Sequence, residues 1–351
     1  MAKRNPLAAW TRLIGRSMQT AVRKQLRAAS KPALRVVKKI SRPTVKPART
    51  ASPTSSASAL DSHWHKGLAL GPAGARRYAL FRPPGLQRSE ELPLLVMLHG
   101  CGQDAAAFAR STGMNRLATR ERCLLLYPEQ DRLANAQGCW NWFDTRSGRA
   151  RAEALSILQA IDQVCLSQPV DRSRVVIAGL SAGASLAALL VTQQPARFCA
   201  LMMHSGVPPG TADSGLSALR AMRGRSQTAA LVASPASMAA DWPALLVLQG
   251  SADGVVAPAN GRAAVTAWAD AAGAKTGPAR QVQRGKRYPM TVTDSRCADG
   301  RTVATLVEVA GLGHAWSGGA AGQPFSDPRG PDASRLLWAF AVRQFRAPPR
   351  R

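Results

Sequence analysis

The stretch Gly179-Leu180-Ser181-Ala182-Gly183 stands where an apolar run, Arg174-Val175-Val176-Ile177-Ala178, meets an alanine-rich helical run, Ala184-Ser185-Leu186-Ala187-Ala188-Leu189-Leu190. A serine turned sharply between strand and helix adopts a strained backbone. Its neighbours must therefore be very small, and its hydroxyl then stands above the sheet edge. The helix begins directly behind that hydroxyl. Its free N–H groups and positive dipole end favour an oxyanion, formed as the serine attacks a carbonyl carbon. The pentapeptide alone is also compatible with a plain strand-to-helix turn capped by serine, so the rest of the chain must decide.

Three further features point the same way. Of the five histidines, His63 and His65 precede any core pattern, while His99 and His204 end the apolar runs Leu94–Leu98 and Ala200–Met203. His314 remains, in the glycine-rich loop Gly311-Leu312-Gly313-His314-Ala315-Trp316-Ser317-Gly318-Gly319 after the strand-like Val303–Val309. A loop histidine reaches a serine hydroxyl as general base, the alternative being a surface histidine. Between them in chain order, Asp253 follows Ala244–Leu248 through the turn Gln249-Gly250-Ser251-Ala252, where a carboxylate orients the histidine. Asp213, Asp241 and Asp270 are weaker rivals by context, and an ordinary turn aspartate is the alternative. Serine, aspartate, histidine is the chain order of α/β-hydrolases. Finally, His99-Gly100-Cys101-Gly102-Gln103 ends an early strand where this fold donates a second oxyanion-hole amide. The expected donors are the amides of Cys101 and Ala182, with Gly102 as substitute.

The segments Leu98-His99-Gly100-Cys101-Gly102-Gln103, Gly138-Cys139-Trp140-Asn141-Trp142-Phe143, the Gly-Leu-Ser-Ala-Gly turn, Gln249-Gly250-Ser251-Ala252-Asp253 and Gly313–Gly319 together resemble the polyhydroxybutyrate depolymerase family of esterases. The resemblance covers residues 70 to 345 and implies an α/β-hydrolase catalytic domain, no metal or other cofactor, and ester hydrolysis through an acyl-serine intermediate. It implies a hydroxyalkanoate polyester or its oligomers as substrate. The same family includes feruloyl and acetylxylan esterases, which makes small acyl or phenolic esters the alternative. Where relatives often have His-Gly before the acid, this chain has Gln249-Gly250.

The patterned remainder, about 280 residues, is long enough to bury a full core. Its alternation of apolar strands with helical runs predicts an α/β fold with a mostly parallel central sheet and helices on both faces. Parallel strands are expected over 93–99, 122–127, 173–179, 198–204, 243–249 and 302–309, after an antiparallel first strand near 77–82. Helices are expected over 153–166, 182–195, 260–272 and 332–346. Between Gly206 and Asp241 the chain is rich in Gly, Ser, Ala and Pro, and reads either as a lid over the site or as a long loop.

Residues 1–60 differ in kind from the catalytic domain expected over 61–351. Up to Thr50 there are 14 Lys or Arg and no Asp or Glu, so this arm holds +14 of the +27 net charge. Trp10, Leu13, Ile14, Met18, Val22 and Leu26 recur at helical spacing with arginines on other faces, which predicts a basic amphipathic helix. Such a helix suits an anionic surface, whether a polymer granule, membrane headgroups or nucleic acid; the alternative is a solvated tail. Residues 41–60 read as a linker. No apolar h-region follows the charges and no run is long enough to span a bilayer. The expectation is therefore a cytoplasmic or granule-associated protein, although the resembled family is commonly extracellular.

The six cysteines include no CxxC pair and no His companion at metal spacing, which disfavours zinc. Cys101 and Cys139 flank the two expected active-site loops, and a disulfide between them is an expectation for the structure to test. Trp140, Trp142 and Trp316 are expected to offer flat apolar faces to substrate, with core packing as the alternative. Two rival functions remain: a peptidase or amidase using the same triad, and a granule- or nucleic-acid-binding protein acting through the arm.

Overall fold

All seven residues of Leu92–Leu98 are buried. Successive strand side chains point to opposite faces, so a strand buried at every position must be covered on both. Leu94, Val96 and Leu98 join one core cluster, whereas Leu95 and Met97 join another. The computed structural model describes residues 63–87, 89–225 and 241–346. The basic arm, its expected helix and linker, and residues 226–240 of the expected lid or loop lie outside the described residues.

The chain opens with β1 (Trp64–Gly71), β2 (Gly74–Phe81) and β3 (Leu92–Leu98), then α1 (Ala105–Thr112), α2 (Met114–Glu121) and β4 (Leu124–Pro128). It continues through α3 (Arg149–Ser167), β5 (Val170–Leu180), α4 (Ala182–Gln193), β6 (Ala200–His204), α5 (Gly215–Met222), β7 (Ala244–Gly250) and α6 (Ala259–Ala271). The last part holds β8 (Lys275–Thr276), β9 (Arg280–Val282), β10 (Met290–Arg296), β11 (Thr302–Val309), β12 (Trp316–Ser317), β13 (Ser326–Asp327) and α7 (Ala333–Phe345).

Strand order in the large sheet is β1-β2-β4-β3-β5-β6-β7-β11-β10-β8, with β9 also on β10. The strands from β4 to β11 in that order pair in parallel, and these are the six expected from sequence. Ile157, Ile161, Leu186, Leu190 and Trp268 from α3, α4 and α6 cover one face; Phe108, Leu117, Leu337 and Phe340 from α1, α2 and α7 cover the other. Each leucine so buried contributes about 2 kcal/mol relative to exposure. The fold is therefore a three-layer α/β arrangement.

Several elements were not foreseen. Positions 105–121 form two helices because Gly113, at φ 64, ends α1 and opens α2, and eight residues carry little periodic signal. Strand β1 is mostly exposed at the sheet edge, and β10 is half-buried, so neither shows a continuous apolar run. Both pair antiparallel with their neighbours.

Register places Leu180 beside His204, His204 beside Leu248, and Gln249 beside Glu308. The loops that follow β5, β6, β7 and β11 therefore emerge side by side at the carboxyl edge of the sheet, where open α/β sheets hold their ligands.

Candidate active site

Ser181 has φ 57 and ψ −122, a left-handed backbone that costs a non-glycine residue roughly 1–3 kcal/mol. Its surroundings enforce that turn. A Cβ at Gly179 would lie 2.4 Å from the Gly183 carbonyl carbon, and one at Gly183 would lie 2.3 Å from the Leu98 oxygen. Glycine at both positions lets the end of β3 and the first turn of α4 close around the serine. The Ser181 amide donates to the His204 oxygen at 2.8 Å, and the Ser181 oxygen accepts from the Ser185 amide at 3.0 Å.

Asp253 and His314 come from loops after neighbouring strands. Gly250 is needed where they meet, since a Cβ there would lie 2.2 Å from the Leu312 oxygen. The Ala252 amide donates to that same oxygen at 3.0 Å, and Gly311 N–H donates to Ser251 Oγ at 2.9 Å. Laced in this way, the loops bring His314 Nδ1 to 2.8 Å from Asp253 Oδ2, with both side chains buried. Asp253 Oδ1 accepts from the Val255 and Val256 amides, each at 2.9 Å. Burial alone would raise the Asp253 pKa. The charge of His314, its hydrogen bond and the Val256 and Val255 amides outweigh burial and hold the carboxyl below its ordinary value. An ionised carboxylate takes its hydrogen bond from Nδ1–H, which leaves His314 Nε2 as the basic nitrogen. Among the described residues no hydrogen bond joins Ser181 Oγ to His314.

His204, which sequence reasoning set aside, lies between these two groups. It is fully buried, its ring stacks on Trp316 at 5.1 Å, and its Nε2 accepts the Ser317 amide at 3.1 Å. Desolvation lowers its pKa to about 3, with the charge of His314 adding to that effect and Asp253 opposing it. A neutral ring accepting at Nε2 carries its proton on Nδ1, which faces Ser205 Oγ at 3.2 Å. His204 thus ties the serine's backbone to the histidine loop, and only burial at the strand end hinted at that role.

On the other side, Gly102 N–H donates to the Gln137 oxygen at 2.9 Å and is thereby committed. Cys101 and Cys139 are joined in a disulfide. His99 repeats the His204 arrangement: it is buried, its pKa is lowered by desolvation to about 4, and its Nε2 accepts the Gln130 amide at 3.1 Å. Beneath it lies a buried polar network invisible to sequence patterning. Arg76 binds Ser156 Oγ at 2.9 Å and Gln130 Oε1 at 2.9 Å; Glu153 accepts from Gln130 Nε2 at 2.6 Å and from the Asn141 amide at 2.8 Å.

Two of the three tryptophans require a correction. Trp140 and Trp316 have no exposed surface, and Trp142 has little. Trp140 Nε1 donates to the His99 oxygen at 2.9 Å, and Trp316 Nε1 donates to Ser334 Oγ at 3.1 Å while packing on Phe108. A ring buried on both faces offers none to a substrate, so Trp140 and Trp316 brace the loops instead. Trp142 packs edge-on against Phe143. Asp213 is partly exposed and paired with Arg146, and Asp270 lies on the exposed side of α6. Among the described residues, no cluster of three or more His, Cys, Asp or Glu could hold a metal ion, and no helix is long and apolar enough to cross a membrane.

Comparison with known proteins agrees with this architecture. Residues 76–282 match the family described as esterase PHB depolymerase. The chain is 32% identical over 229 residues to poly(3-hydroxyalkanoate) depolymerase C of Paucimonas lemoignei, covering 63% of this chain and 54% of that one. It is 28% identical over 116 residues to feruloyl esterase B of Neurospora crassa, covering 32% and 39% of the two chains. The chain therefore spans about half or less of the length of these relatives. Among solved structures, an acetyl xylan esterase from Aspergillus awamori superposes with a TM-score of 0.57 at 18% identity, covering 72% of this chain and 93% of that one. A ferulic acid esterase superposes with a TM-score of 0.52 at 17% identity, covering 80% and 98%. At such identities the likeness establishes the α/β-hydrolase fold alone.

Proposed function

The chain belongs to the esterase PHB depolymerase family, and from that premise we propose that it is a serine carboxylic ester hydrolase acting on poly(3-hydroxybutyrate) or related hydroxyalkanoate polyesters and oligomers. The observation that carries the reading is the buried Asp253–His314 pair at 2.8 Å, on the same sheet edge as a serine in a strained strand-to-helix turn. In the reaction, His314 accepts the Ser181 proton at Nε2 as Oγ attacks the ester carbonyl carbon. The amides of Cys101 and Ala182 hold the resulting oxyanion. His314 then protonates the leaving alcohol, and water hydrolyses the acyl-serine by the same steps in reverse.

Small acyl or phenolic esters are the second reading, favoured by the likeness to feruloyl esterase B. The division into an arm over 1–60 and a catalytic domain over 61–351 belongs to the proposal, as does an anionic surface as the arm's partner. Arm binding should then weaken steeply with salt and vanish when residues 1–60 are removed.

Acid release from amorphous poly(3-hydroxybutyrate) granules, measured beside hydrolysis of a soluble butyrate ester, tests the reading. Ser181→Ala should keep the fold and lose turnover by about 10⁶-fold on every ester the wild type cleaves. Turnover retained by that variant would sink the nucleophile assignment. Serine-dependent activity on the soluble ester alone would keep the chemistry and discard the polymer.

A further inference from the structure

Gln249, the penultimate residue of β7, is fully buried among the apolar positions of that strand. Its amide nitrogen lies 3.1 Å from the Val256 oxygen, 3.3 Å from Asp253 Oδ2 and 3.5 Å from the Gly250 oxygen. Three acceptors on one side determine the orientation of the amide, because the opposite assignment would point Oε1 at three oxygens. Oε1 faces the other way and has no hydrogen-bond partner among the described residues. A Cβ at Gly261 of α6 would lie 3.0 Å from Gln249 Cβ, so the helix presses on the side chain and holds it there.

We propose that Gln249 is a positioning residue for the acid of the relay: its N–H steadies Asp253 Oδ2, the oxygen that takes the His314 Nδ1 proton bond, against rotation. This rests on the Ser181–His314–Asp253 reading above. The carboxylate is then held at both oxygens, Oδ1 by two backbone amides and Oδ2 by His314 and Gln249. An apolar side chain would fill the same space but would withdraw the donor from the Val256 oxygen and from Asp253 Oδ2. The strand accepts the orphaned Oε1 in return for a donor shared between the acid and the Val256 oxygen.

Full-length wild type, Gln249→Leu, Gln249→Glu and Ser181→Ala should be compared by steady-state kinetics on a soluble butyrate ester and by thermal unfolding. For Gln249→Leu, kcat should fall about 10- to 100-fold, the range for a loosely held catalytic group. Its KM should stay within about twofold, and its Tm should fall only by what the one hydrogen bond lost at the Val256 oxygen explains. Gln249→Glu keeps the shape but turns an oxygen toward Asp253, and its kcat should fall further. Unchanged kcat in either variant overturns the proposal. So does a loss of kcat accompanied in both by a fall in Tm larger than one lost hydrogen bond explains, which would make Gln249 a mere strut. If Gln249→Leu does not fold, the isosteric Gln249→Glu decides alone. Ser181→Ala separates the two levels, since turnover in that variant removes the relay itself, whereas a dead Ser181→Ala beside an unaffected Gln249→Leu removes only the role of Gln249.

Discussion

The two sides of the proposed site, the Asp253–His314 loops and the proposed oxyanion loop at Cys101, are braced by the same device and then diverge. On each, a buried histidine ends a strand, stays neutral, packs against a tryptophan and accepts a backbone amide at Nε2: His204 with Trp316 and Ser317 on one side, His99 with Trp140 and Gln130 on the other. Beyond that, the oxyanion side adds a disulfide and the Arg76–Gln130–Glu153–Asn141 network. Among the described residues the relay side has no such staples, and its loops are laced by backbone bonds and close glycine contacts. Both serve one requirement: oxyanion donors work by being held fixed before charge develops, and a base works within hydrogen-bond reach of the proton it takes.

The largest effect should come from breaking the relay side alone. Asp253→Asn keeps the shape but stabilises the wrong His314 tautomer, and kcat should fall by about 10⁴-fold with KM little changed. Single-turnover acylation with a chromogenic ester measures this, and a fall below tenfold would show that Asp253 does not orient His314.

Breaking the oxyanion side should cost less. Reducing the Cys101–Cys139 bond, or replacing Cys139 with Ser, frees a loop still tied by Gly102 to Gln137. We expect kcat to fall about 10- to 100-fold, less than for full removal of a donor. The bridge spans 38 residues, so loop entropy alone predicts about 4 kcal/mol of lost stability on reduction. Kinetics and thermal unfolding with and without reductant read both quantities, and unaltered kcat would uncouple the staple from the donor.

The smallest effect tests what the two sides share. Both histidines have folded-state pKa values below 6.5, about 3 for His204 and about 4 for His99, because burial penalises their charged forms. Unfolding lets each bind a proton that the folded state refuses. Stability is therefore complete above pH 6.5 and falls as pH drops from there toward the folded values. With two such groups the slope approaches about 2.7 kcal/mol per pH unit. Denaturant unfolding between neutral and mildly acidic pH should show it, and His204→Gln should remove about half. An unchanged slope in that variant would mean His204 is protonated in the fold.

The sequence by itself determined the parallel strands, the glycine-flanked turn at Ser181 and the chain order of Ser181, Asp253 and His314, because these depend on short-range matters. Strand periodicity, the size of the residues beside a sharp turn and the loop that follows each strand are all written within a few positions. Tertiary structure decided everything that depends on a partner far along the chain. Ser317 meets His204 across 113 residues, Asp253 meets His314 across 61, and Trp140 meets His99 across 41. No local pattern says whether a tryptophan in a loop faces substrate or packs on a buried imidazole, or whether a glutamine in an apolar strand reaches a carboxylate. Those outcomes follow from desolvation and hydrogen-bond completion in the packed interior, and both exist only once the layers have closed.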